Sequence, residues 1–235
     1  MKTEQHNHVG NVNMARRAFL RYAGAGAAVA GLVVVQGCNA RNDEPMPGGD
    51  DEGGGSSERT DLGSGDLGIL NYAYALEQLE AAFYVKVADS WYTGITDMEK
   101  QYLSDIRDHE VSHREFFKKA LGDNAIIGLT PNFSAIDFSS RASVLATAKA
   151  FEDLGVTAYD GVGYQLTNAG YLTVAGKIVS VEARHAAIIS ELLTPGSFVS
   201  AAQVDANGLN ISRTPKEVVA IANAFLTTKI SAKSL

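Results

Sequence analysis

The sequence predicts an all-α protein: a four-helix bundle with one long crossover between its second and third helices, followed by a short fifth helix. Three observations support this fold class. Apolar residues recur with the period of an α-helix from Asp66 onward. Residues typical of helix starts and ends separate these segments at intervals that suit helices. No segment shows the alternating pattern of a half-buried strand, so no sheet is expected.

Capping residues, glycine and proline set the expected helix boundaries. Asp66 can cap the first helix, and Gly122 ends the second. Thr96 to Glu99 and Thr214 to Glu217 are capping boxes, and the second of them has Pro215 at the first helical position. The expected helices run from about residue 66 to 90, 96 to 122, 140 to 166 (starting after Ser139 or Ser140), 170 to 193 and 215 to 229.

The segment between the second and third helices is long enough to cross the bundle. Short connections after the first and third helices predict two antiparallel hairpins. Between the hairpins lies "GDNAIIGLTPNFSAIDFSS", with glycine, proline and spaced apolar residues. About 17 extended residues reach ~56 Å, whereas a helix of about 24 residues is ~36 Å long. The crossover can therefore travel the whole bundle, which would make the second and third helices parallel.

The first 65 residues predict export rather than a fold. Arg16 and Arg17 precede an apolar run too short for a permanent transmembrane helix, and the pair resembles a twin-arginine signal. The run ends in "VVVQGC", which resembles a lipoprotein processing site with Cys38 as the acylated residue. Residues 39–65 are polar and glycine-rich, as in a flexible linker. The expected organisation is a signal at 1–38, a linker at 39–65, the bundle at 66–195 and a C-terminal extension with the short helix at 196–235.

Charge and cysteine content exclude several classes of partner and site. The net charge is -7, and no basic cluster follows the signal. Nucleic acid and anionic lipid surfaces are therefore not expected partners. Cys38 is the only cysteine, which excludes intrachain disulfides and any C-x-x-C metal site.

Two Glu-x-x-His pairs stand on the second and fourth predicted helices. Residues three apart on a helix are neighbours, so each carboxylate and imidazole converge on one point. The first and third helices each carry a glutamate followed seven residues later by a tyrosine, so the two halves look like a repeat. The residues of these motifs are, in chain order, Glu77, Tyr84, Glu110, His113, Glu152, Tyr159, Glu182 and His185.

Spacing along the helices places the motifs at one depth in the bundle. Glu77 lies about 13 residues before the end of its helix and Glu110 about 13 residues after the start of the next, so they stand level in an antiparallel hairpin. Glu152 and Glu182 are placed similarly about their own turn. The residues four or seven positions away are apolar and are expected to face inward: Ile106, Phe117, Leu145, Val156, Ile178 and Ile189.

Four inward carboxylates require compensation. Removing each ion from water costs several kcal/mol, and like charges add to the cost. Two divalent cations would neutralise the four glutamates. Carboxylates with one imidazole per ion suit iron or manganese. One glutamate from each of two helices plus Glu-x-x-His from the other two is the di-iron or di-manganese arrangement of ferritin-like proteins.

The segments "LEQLEAAFY", "HEVSHREFF", "FEDLGVTAY" and "VEARHAA" resemble the bacterial ferritin-like domain family that includes plant desiccation-related proteins. The resemblance covers most of residues 66–195. It implies a ferritin-like bundle and metal redox chemistry with oxygen or peroxide, in ferroxidase, peroxidase, catalase or oxygenase reactions. It also implies the same ligands as the spacing: Glu77, Glu110, His113, Glu152, Glu182 and His185.

Four further residues have open roles beside this set. Glu80 lies one turn from Glu77 and could be an additional ligand, a hydrogen-bond acceptor behind the ligands, or a solvated charge. Tyr84 and Tyr159 either hydrogen-bond the opposite glutamates or pack in the core. Arg184 resembles the arginine of oxygen-activating di-iron helices, and a simple salt bridge is the alternative.

Three histidines are expected outside the site. His109 points about 100° away from Glu110 on the same helix. His6 and His8 precede the site where the signal would be cleaved.

The expected function is that of an envelope-anchored protein with two iron ions, or manganese, that oxidises Fe(II) or reduces oxygen or hydrogen peroxide in oxidative or metal stress. With no rubredoxin-like cysteine set, electrons would come from Fe(II) or an external donor. The expected partners are the membrane, through the lipid anchor on its periplasmic side or at the cell surface, and a second copy of the chain in a homodimer. The alternative is a non-enzymatic stress or structural domain. The buried ligands favour activity, since a purely structural core would gain from apolar replacements.

Overall fold

The computed structural model describes residues 59–235. The predictions that concern His6, His8, Arg16, Arg17 and Cys38 lie outside these residues. Within the described part of the chain, no helix is both long enough and apolar enough to cross a membrane.

Five α-helices make up most of the described structure, which confirms the all-α prediction. The first four form two antiparallel hairpins. The helices are α1 (Gly65–Asp89), α2 (Asp97–Leu121), α3 (Arg141–Val162), α4 (Ala169–Leu193) and α5 (Pro215–Ala222).

Both predicted capping boxes are present, at Thr96 with Glu99 and at Thr214 with Glu217. The prediction that Asp66 caps α1 is wrong, because α1 begins after Ser64 and Asp66 lies in its first turn. The Asp66 carboxylate instead accepts hydrogen bonds from the backbone nitrogens of Thr167 (2.8 Å) and Asn168 (2.9 Å). It therefore joins the start of α1 to the loop between α3 and α4.

The crossover, residues 122–140, runs along the length of α1, as predicted. Near the start of α1, Asn71 hydrogen-bonds the backbone of Asn124 and Ile126. Farther along the helix, Gln78 accepts from the backbone nitrogen of Leu129 at 2.8 Å. Beyond its end, the nitrogen of Thr93 donates to the carbonyl of Ser139.

The start of α3 consequently lies beside the start of α2. Arg141 Nε, in the first residue of α3, donates to Glu99 Oε1 at 2.7 Å. The same guanidinium donates to the carbonyl of Leu192 in the last turn of α4. The helices α2 and α3 are therefore parallel, with one long crossover between the hairpins.

The bundle interior is apolar around the predicted motifs. The six apolar residues expected to face inward are all at most 7 % exposed: Ile106, Phe117, Leu145, Val156, Ile178 and Ile189. Their burial confirms the helical faces assigned from the sequence.

The C-terminal part differs from its prediction. The helix α5 ends at Ala222, several residues before the expected end at about 229. After Ala222 the chain continues in a 3-10 turn (Asn223–Phe225), and the Asn223 side-chain amide pairs with both backbone groups of Ile230. This brings β2 (Ile230–Ser231) parallel to β1 (Thr60–Asp61). Two residues a strand are too few to give an alternating pattern in the sequence.

The C-terminal extension also packs closely on α3. The Arg213 nitrogen donates to the carbonyl of Thr157 at 3.0 Å, and its guanidinium donates to the Thr157 hydroxyl. A Cβ atom at Gly161 would lie 1.9 Å from the Arg213 carbonyl oxygen. This approach requires glycine at position 161.

Candidate metal centre

The four bundle helices bring the six predicted ligands together. Their side chains form two groups, in each of which the candidate ligand atoms lie within 4.8 Å of one another. Both groups contain Glu110 and Glu182. The first group adds Glu77 and His113, and the second adds Glu152 and His185. The four carboxylates are fully buried.

The two histidines direct Nδ1 at the carboxylates. His113 Nδ1 lies 3.1 Å from Glu182 Oε1 and 3.4 Å from Glu77 Oε2. His185 Nδ1 lies 2.8 Å from Glu110 Oε1 and 3.4 Å from Glu152 Oε2. Despite these short distances, none of these atoms meets the geometry of a hydrogen bond to another protein atom.

Eight buried atoms of the cluster are left without a partner in this way. They are one oxygen each of Glu77 and Glu152, both oxygens of Glu110 and Glu182, and Nδ1 of His113 and His185. Buried polar atoms are normally hydrogen-bonded, so eight converging exceptions need an explanation. Lone pairs that converge in this way fit coordinated cations. The donor set therefore fits a metal site of oxygen and imidazole ligands.

Tyrosines hold the remaining oxygens of two glutamates. The Tyr84 hydroxyl donates to Glu152 Oε1, and the Tyr159 hydroxyl donates to Glu77 Oε1, both at 2.5 Å. Both bonds join α1 and α3: in one the donor lies on α1, and in the other it lies on α3. The hydrogen-bonding alternative for the two tyrosines is thus correct, and each of these glutamates keeps one oxygen free.

Burial and neighbouring charges shift the pKa values of the cluster residues strongly. Burial raises the pKa of Glu77 to about 8 and the pKa of Glu182 well above its usual range. Burial would also raise the pKa of Glu110, but His113 and His185 outweigh it and hold this pKa at about 2. Burial opposes charge on the imidazoles, yet the carboxylates raise the pKa of His113 to about 12 and that of His185 to about 11. Cations would stabilise all the carboxylates and displace these protons.

Glu80 is buried beside the cluster, so the solvated-charge alternative is wrong. Burial, followed by repulsion from Glu182, raises its pKa well above the usual range. A Cβ atom at Gly155 would lie 3.0 Å from Glu80 Oε1 and 3.3 Å from Glu182 Oε2. Gly155 therefore makes room for two adjacent carboxylates. The only sign of this space in the sequence is that a glycine lies one turn after Glu152. The two other roles of Glu80, ligand or acceptor behind the ligands, both fit this position.

His109 belongs to neither ligand group, but its exclusion overlooked a contact with one of the ligands. Its Nδ1 lies 2.9 Å from Nε2 of His185, the ring nitrogen that faces away from the carboxylates. The direction of His109 on α2 was predicted correctly, but α4 packs close enough for His185 to meet it there. His185 therefore has a side-chain partner on the far side of its ring. Among the hydrogen bonds of the described residues, His113 has no equivalent partner.

Arg184 lies away from the site. It is exposed, and its guanidinium donates to the carbonyl of Ser180 in its own helix. Neither of its predicted roles is present: it does not reach the cluster, and its contact is with a carbonyl rather than a carboxylate. Residues two apart on a helix do not face each other, so Arg184 points into solvent although Glu182 points into the bundle.

Comparison with known proteins supports the fold. Residues 65–195 match a family model described as a ferritin-like domain. No curated protein matches the chain. Because the matched segment is more than half of the sequence, the chain belongs to the ferritin-like domain family.

Proposed function

We propose that this member of the ferritin-like domain family holds two metal ions inside its bundle and uses them in redox chemistry with dioxygen or hydrogen peroxide. The eight unpartnered atoms of the buried cluster are the observation that carries the proposal. A core without cations would have to leave the carboxylate oxygens without partners or pair them only with protonated imidazoles.

The number of free oxygens on each glutamate suggests its role. Glu110 and Glu182 each have both oxygens free and belong to both groups, as bridging carboxylates would. Glu77 and His113 would complete one ion, and Glu152 and His185 the other. The tyrosine bonds to Glu77 and Glu152 leave each of those carboxylates one oxygen for one metal.

Iron is the proposed ion and manganese the alternative, because both accept carboxylates with one imidazole each. Bound iron would supply electrons when Fe(II) is oxidised to Fe(III), and further Fe(II) or an external electron donor would restore it. With Fe(II) as the substrate, two ions lose one electron each. Hydrogen peroxide takes up both electrons and two protons to give two waters, whereas dioxygen takes up the same number to give hydrogen peroxide.

The protein supplies geometry and exclusion of water. Tyr84 and Tyr159 orient the carboxylates of Glu152 and Glu77, as partners behind metal ligands do. Ile106, Leu145 and Ile189 lie one or two turns from ligands on their own helices and are buried. The apolar shell strengthens every electrostatic interaction inside it.

A non-enzymatic role is the second candidate. His113 and His185 approach the carboxylates at 2.8 to 3.6 Å, so protonated imidazoles could balance part of the charge and hold the helices together. Such a domain would serve in stress or structure without redox turnover.

Metal content and iron oxidation distinguish the two candidates. Protein purified without added metal is analysed for iron and manganese, and then loaded anaerobically with Fe(II) and exposed to dioxygen or peroxide. We expect two ions per chain and oxidation faster than in Glu110→Ala and Glu182→Ala variants. Glu115→Ala, exposed on α2, is the matched control. If two Fe(II) bind but are oxidised no faster than free iron, the non-enzymatic role replaces the redox one.

We propose further that the domain is exported and held at the cell envelope by a lipid on Cys38, where it would act in oxidative or metal stress. The support is the arginine pair Arg16-Arg17 and the run that ends at Cys38. In cell fractionation, the parent chain should remain with membranes and Cys38→Ser should be released. Membrane retention of Cys38→Ser would show that the anchor is elsewhere. Replacement of both arginines by lysine should block export.

A further inference from the structure

A small apolar cavity lies beside the metal centre, among α1, α3, α4 and the end of α2. Its volume is about 30 Å³. None of the described side chains that line it carries a charge. Its walls include Ala73, Leu76, Phe117, Ala158, Tyr159 and Ala175.

The cavity extends from near the surface to the wall of the metal centre. Leu76 adjoins Glu77 in sequence, and Tyr159 donates its hydroxyl to Glu77. Both line the cavity and are buried. Phe116 also lines it and is 43 % exposed. A molecule in the cavity would therefore be separated from the Glu77 carboxylate by a single layer of side chains.

Size and polarity restrict what the cavity can hold. A volume of 30 Å³ suits one or two molecules of the size of water and is too small for an alkyl chain or a ring. Water and hydrogen peroxide need several polar partners to offset their desolvation, whereas the walls are almost entirely apolar and their only side-chain polar groups are the hydroxyls of Tyr72, Tyr159 and Tyr171. Dioxygen is small and apolar, and it loses no hydrogen bonds on entry.

We propose that this cavity binds dioxygen and is its route to the metal centre, with Tyr159 as the last residue before Glu77. The inference rests on the proposed redox function and deepens it, because it assigns a site to one of the two oxidants. Hydrogen peroxide, which is polar, does not use this route.

Binding can be measured without turnover. Paramagnetic relaxation of methyl groups by dissolved dioxygen is compared with a nitrogen control in the full chain, with and without Zn(II), which is redox-inert. We expect several-fold greater relaxation at Leu76, Val162 and Val174, which line the cavity, than at Val144 and Leu145, which are fully buried elsewhere. Equal relaxation at both sets of methyl groups overturns the proposal.

Filling the cavity tests the route. Ala175→Phe should abolish the excess relaxation, and Ala175→Val, a milder change, should reduce it. Ala187→Phe is the matched control, since Ala187 is also half-buried on α4 but lines a different cavity. In iron-loaded protein, Ala175→Phe should slow oxidation by dioxygen several-fold and leave oxidation by peroxide unchanged.

The two failures are distinguishable. If dioxygen and peroxide oxidise Fe(II) no faster in the parent chain than in the Glu110→Ala variant, the proposed redox function is wrong. Methyl relaxation would still decide whether dioxygen binds in the cavity. If Ala175→Phe slows both oxidants equally, or slows neither, the cavity is not a route for dioxygen and the inference is wrong.

Discussion

His109 Nδ1 lies 2.9 Å from His185 Nε2, and the two ring planes are only 8° apart. The contact joins α2 to α4 on the side of His185 that faces away from the carboxylates. When Nδ1 of His185 binds a cation, the ring proton is on Nε2, which can donate to His109. His109 therefore favours the tautomer that coordination requires and fixes the orientation of the ring.

Loss of the His109 acceptor should weaken the binding of one of the two metal ions. In His109→Phe we expect about 10- to 100-fold lower affinity at the His185 position, the range typical of groups behind metal ligands. His109→Asn keeps an acceptor near the same place and should restore much of the affinity. Competition titration with a coloured chelator separates the two ions. Equal weakening of both ions, or no rescue by asparagine, would contradict a positioning role.

Substitution of a glutamate that bridges both metal ions should have a different effect on metal binding from substitution of a glutamate that binds one ion. Glu182→Gln should reduce the binding of both metals, whereas Glu77→Gln should weaken only one. In the parent chain, metal at about 1,000 times its dissociation constant should raise the free energy of unfolding by ~4 kcal/mol, and a chelator should remove that gain. Thermal unfolding with Mn(II), chelator and Glu115→Gln as the control measures this. A melting temperature that is indifferent to chelator would count against a buried site.

Removing the tyrosine hydroxyls should destabilise the bundle. Tyr84→Phe or Tyr159→Phe leaves a buried glutamate oxygen without its donor, which costs about 1–3 kcal/mol. Tyr72→Phe is the matched control on α1, since that hydroxyl is buried but has no partner among the protein atoms. Urea denaturation should show a loss for the first two variants and little change for Tyr72→Phe. A similar loss in all three would mean that the hydroxyl bonds to glutamate contribute nothing specific.

The pair Glu99 and Arg141 should make stability depend on pH in acid. Burial opposes ionisation of Glu99, but hydrogen bonds from Thr96 and Arg141 lower its pKa. A lowered folded pKa gives stability that is complete above the unfolded pKa of about 4.3 and is lost as pH falls through the folded value. Arg141→Met should cost ~1 kcal/mol at neutral pH, since Arg141 is partly exposed and screened by solvent.

The difference between Arg141→Met and the parent chain should shrink as pH falls below the unfolded pKa of about 4.3 and through the lowered folded pKa of Glu99, because Glu99 becomes protonated in both proteins. Arg107→Met, which breaks the exposed pair with Asp108, should have little effect at any pH. Denaturation of all three proteins across pH checks both statements. A constant difference down to pH 2 would assign the effect to packing of the arginine instead of charge.

Gly161→Ala should loosen the C-terminal extension. Its new methyl group would meet the Arg213 carbonyl oxygen, so overpacking should cost about 1–3 kcal/mol despite the better helix propensity of alanine. Gly176→Ala, on α4 with open space around it, should instead stabilise by up to ~1 kcal/mol. Hydrogen exchange of residues 213–222 would locate the change. If both variants gain stability, the close approach of α3 and Arg213 does not constrain the fold.

The sequence predicted the features that depend on local chemistry. The capping boxes at Thr96 and Thr214 and the burial of Glu77 and Glu182 followed from residue types and helical spacing. The contact of His109 with His185 could not be predicted in this way, because it depends on how closely α2 and α4 pack. Likewise, the pairing of Asn223 with Ile230 just after α5 could not be predicted, because it depends on the path of the chain after the helix.

The parallel pairing of Thr60–Asp61 with Ile230–Ser231 also determines how the domain resists tension. Force applied to the chain at both sides of the domain would pull β1 from its N-terminal end and β2 from its C-terminal end, in opposite directions. The bonds from Thr60 to Lys229 and from Leu62 to Ser231 would then be sheared together instead of opening one after the other. This short ladder is a mechanical clamp that must rupture before the pull reaches the helices that carry the metal centre.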